Sequence, residues 1–234
     1  MWFTVERVVT PYERIEFGTL VDLSISNSRI VEDKIYGPVY PRLVKRFAVR
    51  FESEKLGEEP PEGAEEWDWP QVKGYLEKNL DRYPYGFNAL LYAMAKTEAT
   101  LQGTSGVANR VSINEMAKHM DRKLGVEGSG RVSSFEEVFR QTVEKLAALR
   151  VLPPGLNYSI EEENTARFVV EDCAYRDVCE AFHKEKITKY NGEDICSIGR
   201  MITTYIELEL SPDYDYHLED FASPQCSVRI TKSV

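Results

Sequence analysis

The sequence predicts an α+β fold in which helices pack on an antiparallel sheet. Apolar side chains recur at helical spacing over residues 67–150, and they alternate with polar ones in short segments over residues 156–230. With 234 residues, of which 42% are hydrophobic, the chain can bury a substantial core. We expect a strand-rich N-terminal extension over residues 1–66 and an α+β domain over residues 67–234.

The N-terminal extension is predicted from two short alternating segments. Apolar side chains occupy every second position in residues 21–26 and again in residues 47–51, which is typical of strands with one face in water. The segment that follows, residues 52–66, is acidic and rich in Pro and Gly. Such a composition offers little to bury, so we expect a surface loop or linker there.

The middle of the chain changes to a helical period. Asp68 is expected to cap a helix that carries Pro70 in its first turn. A second helix is predicted over residues 87–101, and Gly103 is expected to end it. Two Ser-x-x-Glu patterns, at 112–115 and 133–136, have the spacing of a capping box and indicate the starts of further helices.

The last third of the chain returns to extended structure. Residues 156–170 have the pattern of a β-hairpin, and a helix is expected to carry Cys179 and Phe182. Another predicted helix carries Ile198, Ile202 and Tyr205, and the chain closes with strands over residues 214–230.

Composition excludes two classes of partner and indicates a compartment. The formal net charge is −10, which argues against a surface that follows nucleic-acid phosphates. No run approaches the roughly 20 apolar residues of a membrane span, and the N-terminus has no apolar segment of signal-peptide length. We therefore expect a cytoplasmic protein that neither binds nucleic acid nor spans a membrane.

All four cysteines fall in the last quarter of the chain. Cys173, Cys179 and Cys196 are close enough in sequence to share a zinc ion, with either His183 or Cys226 as the fourth ligand. Cys179 and His183 are four residues apart, so a helix would place them on one face. The spacing does not match the usual paired zinc ligands. The residues therefore leave open that these cysteines are buried apolar side chains or, less readily, disulfides.

A family resemblance appears over roughly three-fifths of the chain, from about Phe87 to Ile230. It is carried by Phe135-Glu-Glu-Val-Phe139, Val169-Val-Glu-Asp-Cys173, Cys179 with Phe182, Asp194-Ile-Cys196 with Gly199, and Cys226-Ser-Val-Arg-Ile230. This segment resembles a 4-vinyl reductase type domain, a relative of the TRAPP vesicle-tethering subunits. The resemblance implies hydrocarbon or small-molecule binding, a homodimer, and cysteines that hold a metal. A thiazoline-carboxylate hydrolase-like family has a similar C-terminal pattern.

The function predicted from these observations is the binding or sensing of an apolar small molecule. Phe87, Met94, Phe135 and Phe139 are the candidate ligand-binding residues, in a cavity between helices and sheet. The same residues would also fill an ordinary core. Two alternatives stay open: a hydrolase that uses Cys179 and His183 as nucleophile and base, with Asp172 or Glu180 nearby, and an assembly subunit that has no ligand.

Overall fold

The structure is a computed structural model that describes residues 2–4, 17–106, 134–153, 156–221 and 225–233. It confirms the α+β class, because the described residues form α-helices and an antiparallel sheet. The helices are α1 (Phe17–Val31), α2 (Val39–Leu56), α3 (Trp69–Lys78), α4 (Phe87–Gln102), α5 (Phe135–Ala148), α6 (Arg176–Glu185) and α7 (Ser197–Glu209).

The chain divides into two compact units. The helical unit holds residues 17–106 and 177–192, and the sheet unit holds the described residues before Phe17 together with 134–176 and 193–233. Each unit is thus assembled from segments that alternate along the sequence. The boundary predicted at residue 66 falls inside the helical unit.

The sheet has five strands, all antiparallel to their neighbours. The predicted hairpin over residues 156–170 and the predicted closing strands over residues 214–230 are both found, as two strands each. In chain order the strands are β1 (Trp2–Thr4), β2 (Asn157–Glu162), β3 (Thr165–Glu171), β4 (Tyr214–Phe221) and β5 (Gln225–Lys232), and their spatial order is β1-β2-β3-β5-β4.

Two helices cover one face of this sheet. α5 begins after Ser134, whose hydroxyl accepts a hydrogen bond from the backbone N–H of Glu137 at 3.3 Å, one residue later than the capping pair read from the sequence. It packs on α7 and β3, and α7 packs on β4 and β5. On the inner face of the sheet, Phe168 and Val228 are fully buried and lie directly opposite each other.

The other face of the sheet is polar. Arg167 donates to the hydroxyl of Ser227 at 3.0 Å and also lies 3.0 Å from Glu219, and Arg229 lies 2.6 Å from the same carboxylate. The alternation predicted for the closing strands is therefore confirmed: Cys226, Val228 and Ile230 point to the core, and Arg229 and Thr231 to the polar face.

The helical unit is organised around α2 and α4. α2 packs on α1, α3 and α4, and α1 also contacts α4. Asp68 and Gln71 form a reciprocal capping box at the start of α3, as the sequence predicts for Asp68. α4 ends at Gly103, whose φ of 84° belongs to the left-handed region that glycine adopts without strain.

The prediction of strands in residues 21–26 and 47–51 is wrong, because these residues belong to the helices α1 and α2. Over five or six residues, alternation cannot be distinguished from part of an amphipathic helix. Over a longer stretch the buried positions follow the helical period: Tyr40, Val44 and Ala48 are each four residues apart. In α1 the helical period of apolar residues is harder to recognise, because small polar residues also lie on the buried face. No strand-rich extension is therefore present within residues 17–66, whose description is complete.

Two further sequence predictions concern the segment at 112–115 and membrane spans. The Ser-x-x-Glu pattern at 112–115 lies outside the described residues. In the described ranges, every helix is too short or too polar to cross a lipid bilayer.

The contact between α7 and β4 is tight enough to predict a mutational effect. A Cβ on Gly199 would lie 2.8 Å from Cδ2 and 2.9 Å from Cγ of Tyr216. We expect Gly199→Ala to lower the free energy of unfolding by about 1–3 kcal/mol through overpacking. Urea denaturation measures this. The matched control is Gly74→Ala in α3, where a Cβ meets nothing within 4 Å. If both variants are equally stable, the close packing of α7 on Tyr216 is incorrect.

Candidate functional site

The helical unit contains a carboxyl group that is sealed from solvent. Glu52 lies in the last turns of α2 and is 0% exposed. Neither of its side-chain oxygens has a hydrogen-bond partner among the described residues. Burial disfavours the charged form and raises the pKa of Glu52 to about 8. At neutral pH the carboxyl group is therefore mostly protonated, and it can both donate and accept a hydrogen bond.

Gly86, the residue before α4, lies beside this carboxyl group. Gly86 precedes α4 with an ordinary helical φ of −52°, so no backbone strain requires glycine there. A Cβ at this position would lie 3.6 Å from each Glu52 oxygen and 3.4 Å from Cε2 of Phe17. These are normal van der Waals distances. An alanine side chain at this position would therefore touch both the carboxyl group and the ring of Phe17 without a clash.

A chain of polar side chains runs from this region towards the surface. The hydroxyl of Tyr83, which is buried, donates to Asp177 at 2.9 Å, and Lys55 lies 3.4 Å from the same carboxylate oxygen. The side chain of Asn88 also hydrogen-bonds to Tyr83. Burial and the charge of Asp177 raise the pKa of Tyr83 above its usual range, and the charge of Glu52 adds to this effect. Because Asp177 and Lys55 are about one-third exposed, this series of polar side chains reaches the solvent.

A second carboxyl group on the helical unit has the opposite environment. Glu185 of α6 accepts hydrogen bonds from the Tyr92 hydroxyl at 2.7 Å and from Lys96 at 2.5 Å. Partial burial works to raise the pKa of Glu185, but the hydrogen bonds from Lys96 and Tyr92 outweigh it and lower the pKa. Glu185 thus forms a structural ion pair that holds α6 against α4, whereas Glu52 holds no helix in place through such a pair.

Further polar atoms lie buried between α1 and α4. Asn27 donates to the sulfur of Met94 at 3.7 Å, and Thr97 follows Met94 by one helical turn. The carboxamide oxygen of Asn27 and the hydroxyls of Ser28 and Thr97 are buried and have no hydrogen-bond partner among the described residues. The interior of the helical unit therefore contains several polar atoms that its own side chains do not satisfy.

The four predicted ligand-binding residues are divided between the two units. Phe87 is buried and Met94 partly buried in the helical unit. In the sheet unit, the ring of Phe135 stacks on Tyr214 with centroids 5.2 Å apart, and Phe139 is fully buried. Phe135 and Phe139 are thus core residues of the sheet unit, and Met94 lies next to the polar atoms described above.

None of the four cysteines forms a disulfide with another described residue. Cys196 caps α7 by accepting a hydrogen bond from the backbone N–H of Gly199 at 3.3 Å. Cys226 accepts one from Arg176 at 3.6 Å. Both contacts are ones that a structural thiol can make.

The proposed zinc ligands do not form a recognisable cluster. Within the described ranges, no three His, Cys, Asp or Glu side chains lie together as they would around a metal ion. Cys179 is buried on α6, and His183, one turn later, is exposed. Zinc binding by Cys173, Cys179, Cys196, His183 and Cys226 stays a prediction, as does hydrolysis by a Cys179 and His183 pair.

Sequence reasoning missed Glu52, which it placed at the start of the acidic surface segment. The signal that would have found it is its spacing. Glu52 follows Ala48 by four residues and Val44 by eight, so it continues the buried face of α2. α2 extends to Leu56 and ends at Gly57. An acidic residue at a core position of an amphipathic helix indicates a functional site. The acidic residues that follow it in the sequence indicate only a charged surface segment.

No protein-family model matches the chain, and no curated protein or solved structure matches it. The resemblance to 4-vinyl reductase type domains and the homodimer that it implies therefore stay predictions.

The environment of Glu52 predicts how stability depends on pH. The unfolded chain releases this proton near the ordinary pKa of 4.5, whereas the folded protein holds it up to about pH 8. Between these values the native state binds more protons, so its stability falls as pH rises, by at most about 1.4 kcal/mol per pH unit.

Glu52→Gln should remove this contribution, so we expect its stability relative to the wild type to increase from about pH 5 to about pH 8. Urea denaturation at several pH values measures the difference. The control is Glu54→Gln, which removes an exposed carboxylate paired with Arg50 on the same helix. Parallel pH curves for Glu52→Gln and the wild type would contradict the assignment.

Proposed function

We propose that the helical unit binds a largely apolar small molecule whose polar group meets Glu52. The observation that carries the proposal is the sealed carboxyl group of Glu52, whose two oxygens have no hydrogen-bond partner among the described residues. Ligand sites are commonly apolar, with a few polar groups that orient the bound molecule. Glu52 supplies such a polar group, and the ring of Phe17 supplies an apolar surface.

The energetics favour a ligand over an ordinary core. An unsatisfied buried polar group costs free energy, on the order of 1–3 kcal/mol, and a core is usually free of such groups. An apolar residue at position 52 would avoid this cost. Strongly perturbed carboxyl groups that persist in spite of the cost are concentrated at functional sites. A ligand that hydrogen-bonds to Glu52 would recover part of that free energy on binding.

The proposal differs from the cavity expected from the sequence. It lies within the helical unit and uses the start of α4, which carries Phe87. It does not require Phe135 or Phe139, whose rings pack within the sheet unit. The polar atoms of Asn27, Ser28 and Thr97 support a polar interior further along α4.

Gly86→Ala tests the proposal, with 1-octanol as the probe. The added methyl group would lie against both oxygens of Glu52 in ordinary van der Waals contact and would hinder a ligand from reaching them. The protein itself should fold with unchanged or slightly raised stability, by about 0.4–1 kcal/mol. Octanol binding, followed by saturation-transfer NMR and quantified by titration calorimetry, should weaken about tenfold or more, which corresponds to about 1.4 kcal/mol or more.

The control is Gly74→Ala, which adds the same methyl group to an exposed position of α3 with nothing within 4 Å. It should bind octanol like the wild type. Equal binding by Gly86→Ala and Gly74→Ala, or a wild type that binds no octanol, would contradict the proposal.

A further inference from the structure

We infer that α6 opens on its own, by local unfolding, and that its closed form covers the turns of α2 that carry Glu52. Glu52 is 0% exposed, so a molecule from solution can reach its carboxyl group only while a covering element is displaced. The inference rests on the proposed function for the role of this opening, which is to admit the ligand. The opening itself can be tested without a ligand.

The contacts of α6 lie on both sides of the buried carboxyl group of α2. On one side, Lys55 of α2 lies 3.4 Å from Asp177, at the start of α6. On the other side, the ring of Phe51 stacks on Tyr92 with centroids 4.7 Å apart, and Tyr92 stacks on Phe182 of α6 at 6.3 Å. α6 therefore lies against the turns of α2 that carry the carboxyl group.

The polar contacts that hold α6 are few and partly exposed. Near its start, Asp177 accepts a hydrogen bond from the hydroxyl of Tyr83 at 2.9 Å, and at its end Glu185 accepts one from the hydroxyl of Tyr92 at 2.7 Å. Each of these carboxylates also pairs with a lysine, and the side chains of both pairs are about one-third exposed. Ion pairs with this much exposure contribute little to stability.

The apolar contacts of α6 are also limited. In the described helical unit, the α-helices that pack closely on one another are α1, α2, α3 and α4, and α6 is not among them. Its buried side chains are Val178, Cys179 and Phe182. A segment with few buried apolar side chains and no close backbone packing is typical of those that open locally.

The segments on either side of α6 are anchored more firmly. Before α6, Tyr175 is fully buried and its hydroxyl donates to the carbonyl of Val151. After α6, Ile187 is buried, and the backbone N–H of Ser105 donates to the carbonyl of Thr188 at 3.0 Å. A helix of ten residues is not stable by itself in water. We therefore expect α6 to unwind between these two anchors when its side-chain contacts are lost.

Thiol labelling tests the inference, because Cys179 lies on the buried face of α6. Iodoacetamide reacts with a thiol that solvent can reach, and peptide mass spectrometry gives the rate. We expect the labelling of Cys179 to depend only weakly on urea. Hydrogen exchange of the central amides of α2 and α4 should depend on urea more steeply, because it requires the helical unit to unfold. The variant Glu52→Cys supplies a second thiol, which should be labelled through the same opening.

Two variants loosen α6 and keep every aromatic ring. Tyr83→Phe and Tyr92→Phe each remove one hydroxyl that donates to a carboxylate of α6. Each should speed the labelling at positions 179 and 52 by the same factor, about two- to twelvefold, as expected for the loss of one hydrogen bond. The control is Tyr214→Phe, which removes a hydroxyl that donates to Asn164 at 2.7 Å in the sheet unit. It should leave both rates unchanged.

Two results would overturn the inference. One is labelling of Cys179 with the same urea dependence as the exchange of α2 and α4, which would mean that α6 opens only with the whole unit. The other is a pair of hydroxyl variants that speed labelling at position 179 and not at position 52, because α6 would then open without uncovering the carboxyl group. Octanol binding decides the proposed function separately. Matched acceleration at both positions in a protein that binds no octanol would confirm the opening and contradict the proposed function.

Discussion

The central constraint in this structure is a carboxyl group that is sealed from water and has no hydrogen-bond partner in the described part of the chain. Most buried polar groups are hydrogen-bonded, and buried acids are usually paired. Glu52 departs from both rules, although the same helical unit contains Glu185, which is held by Tyr92 and Lys96. The unit can therefore pair a carboxylate where pairing serves packing. Its failure to do so at Glu52 indicates that this position was not selected for stability alone.

The two units differ in how consistently they follow the rules of packing. In the sheet unit, apolar side chains point to the helices, charged pairs cover the other face, and Gly199 allows α7 to approach Tyr216 closely. The described sheet unit also contains a buried oxygen without a hydrogen-bond partner, that of the Thr203 hydroxyl. In the helical unit such oxygens belong to Asn27, Thr97 and the carboxyl group of Glu52. Sequences that fold well satisfy local and global preferences together, and exceptions are concentrated at functional sites. That difference is why the proposed site lies in the helical unit.

Much of the fold could be predicted from the sequence. The hairpin of β2 and β3, the cap at Asp68 and the end of α4 at Gly103 all depend on local rules of alternation, capping and backbone conformation. α1 and α2 could not be recognised from short windows. Their buried faces include Ser24, Asn27 and Glu52, and polar residues on a buried face weaken the helical pattern.

The candidate site was hidden for the same reason. Glu52 is a residue type that usually lies on the surface, but it occupies a core position. Only the packing of α2 against α4 shows which of these environments it has. Cysteines and aromatic residues attract attention because their chemistry is distinctive. In this protein Phe135 and Cys196 serve packing and capping, respectively.

The most direct test of this account is the titration of Glu52 itself. Carbon-13 labelling of glutamate side chains, with the Glu52 signal assigned by comparison with Glu52→Gln, allows its carboxyl chemical shift to be followed by NMR as a function of pH. The account predicts a midpoint near pH 8, because burial without a counter-charge favours the protonated form. A midpoint near the ordinary value of 4.5 would mean that the carboxyl group is solvated or paired, and it would contradict the central claim.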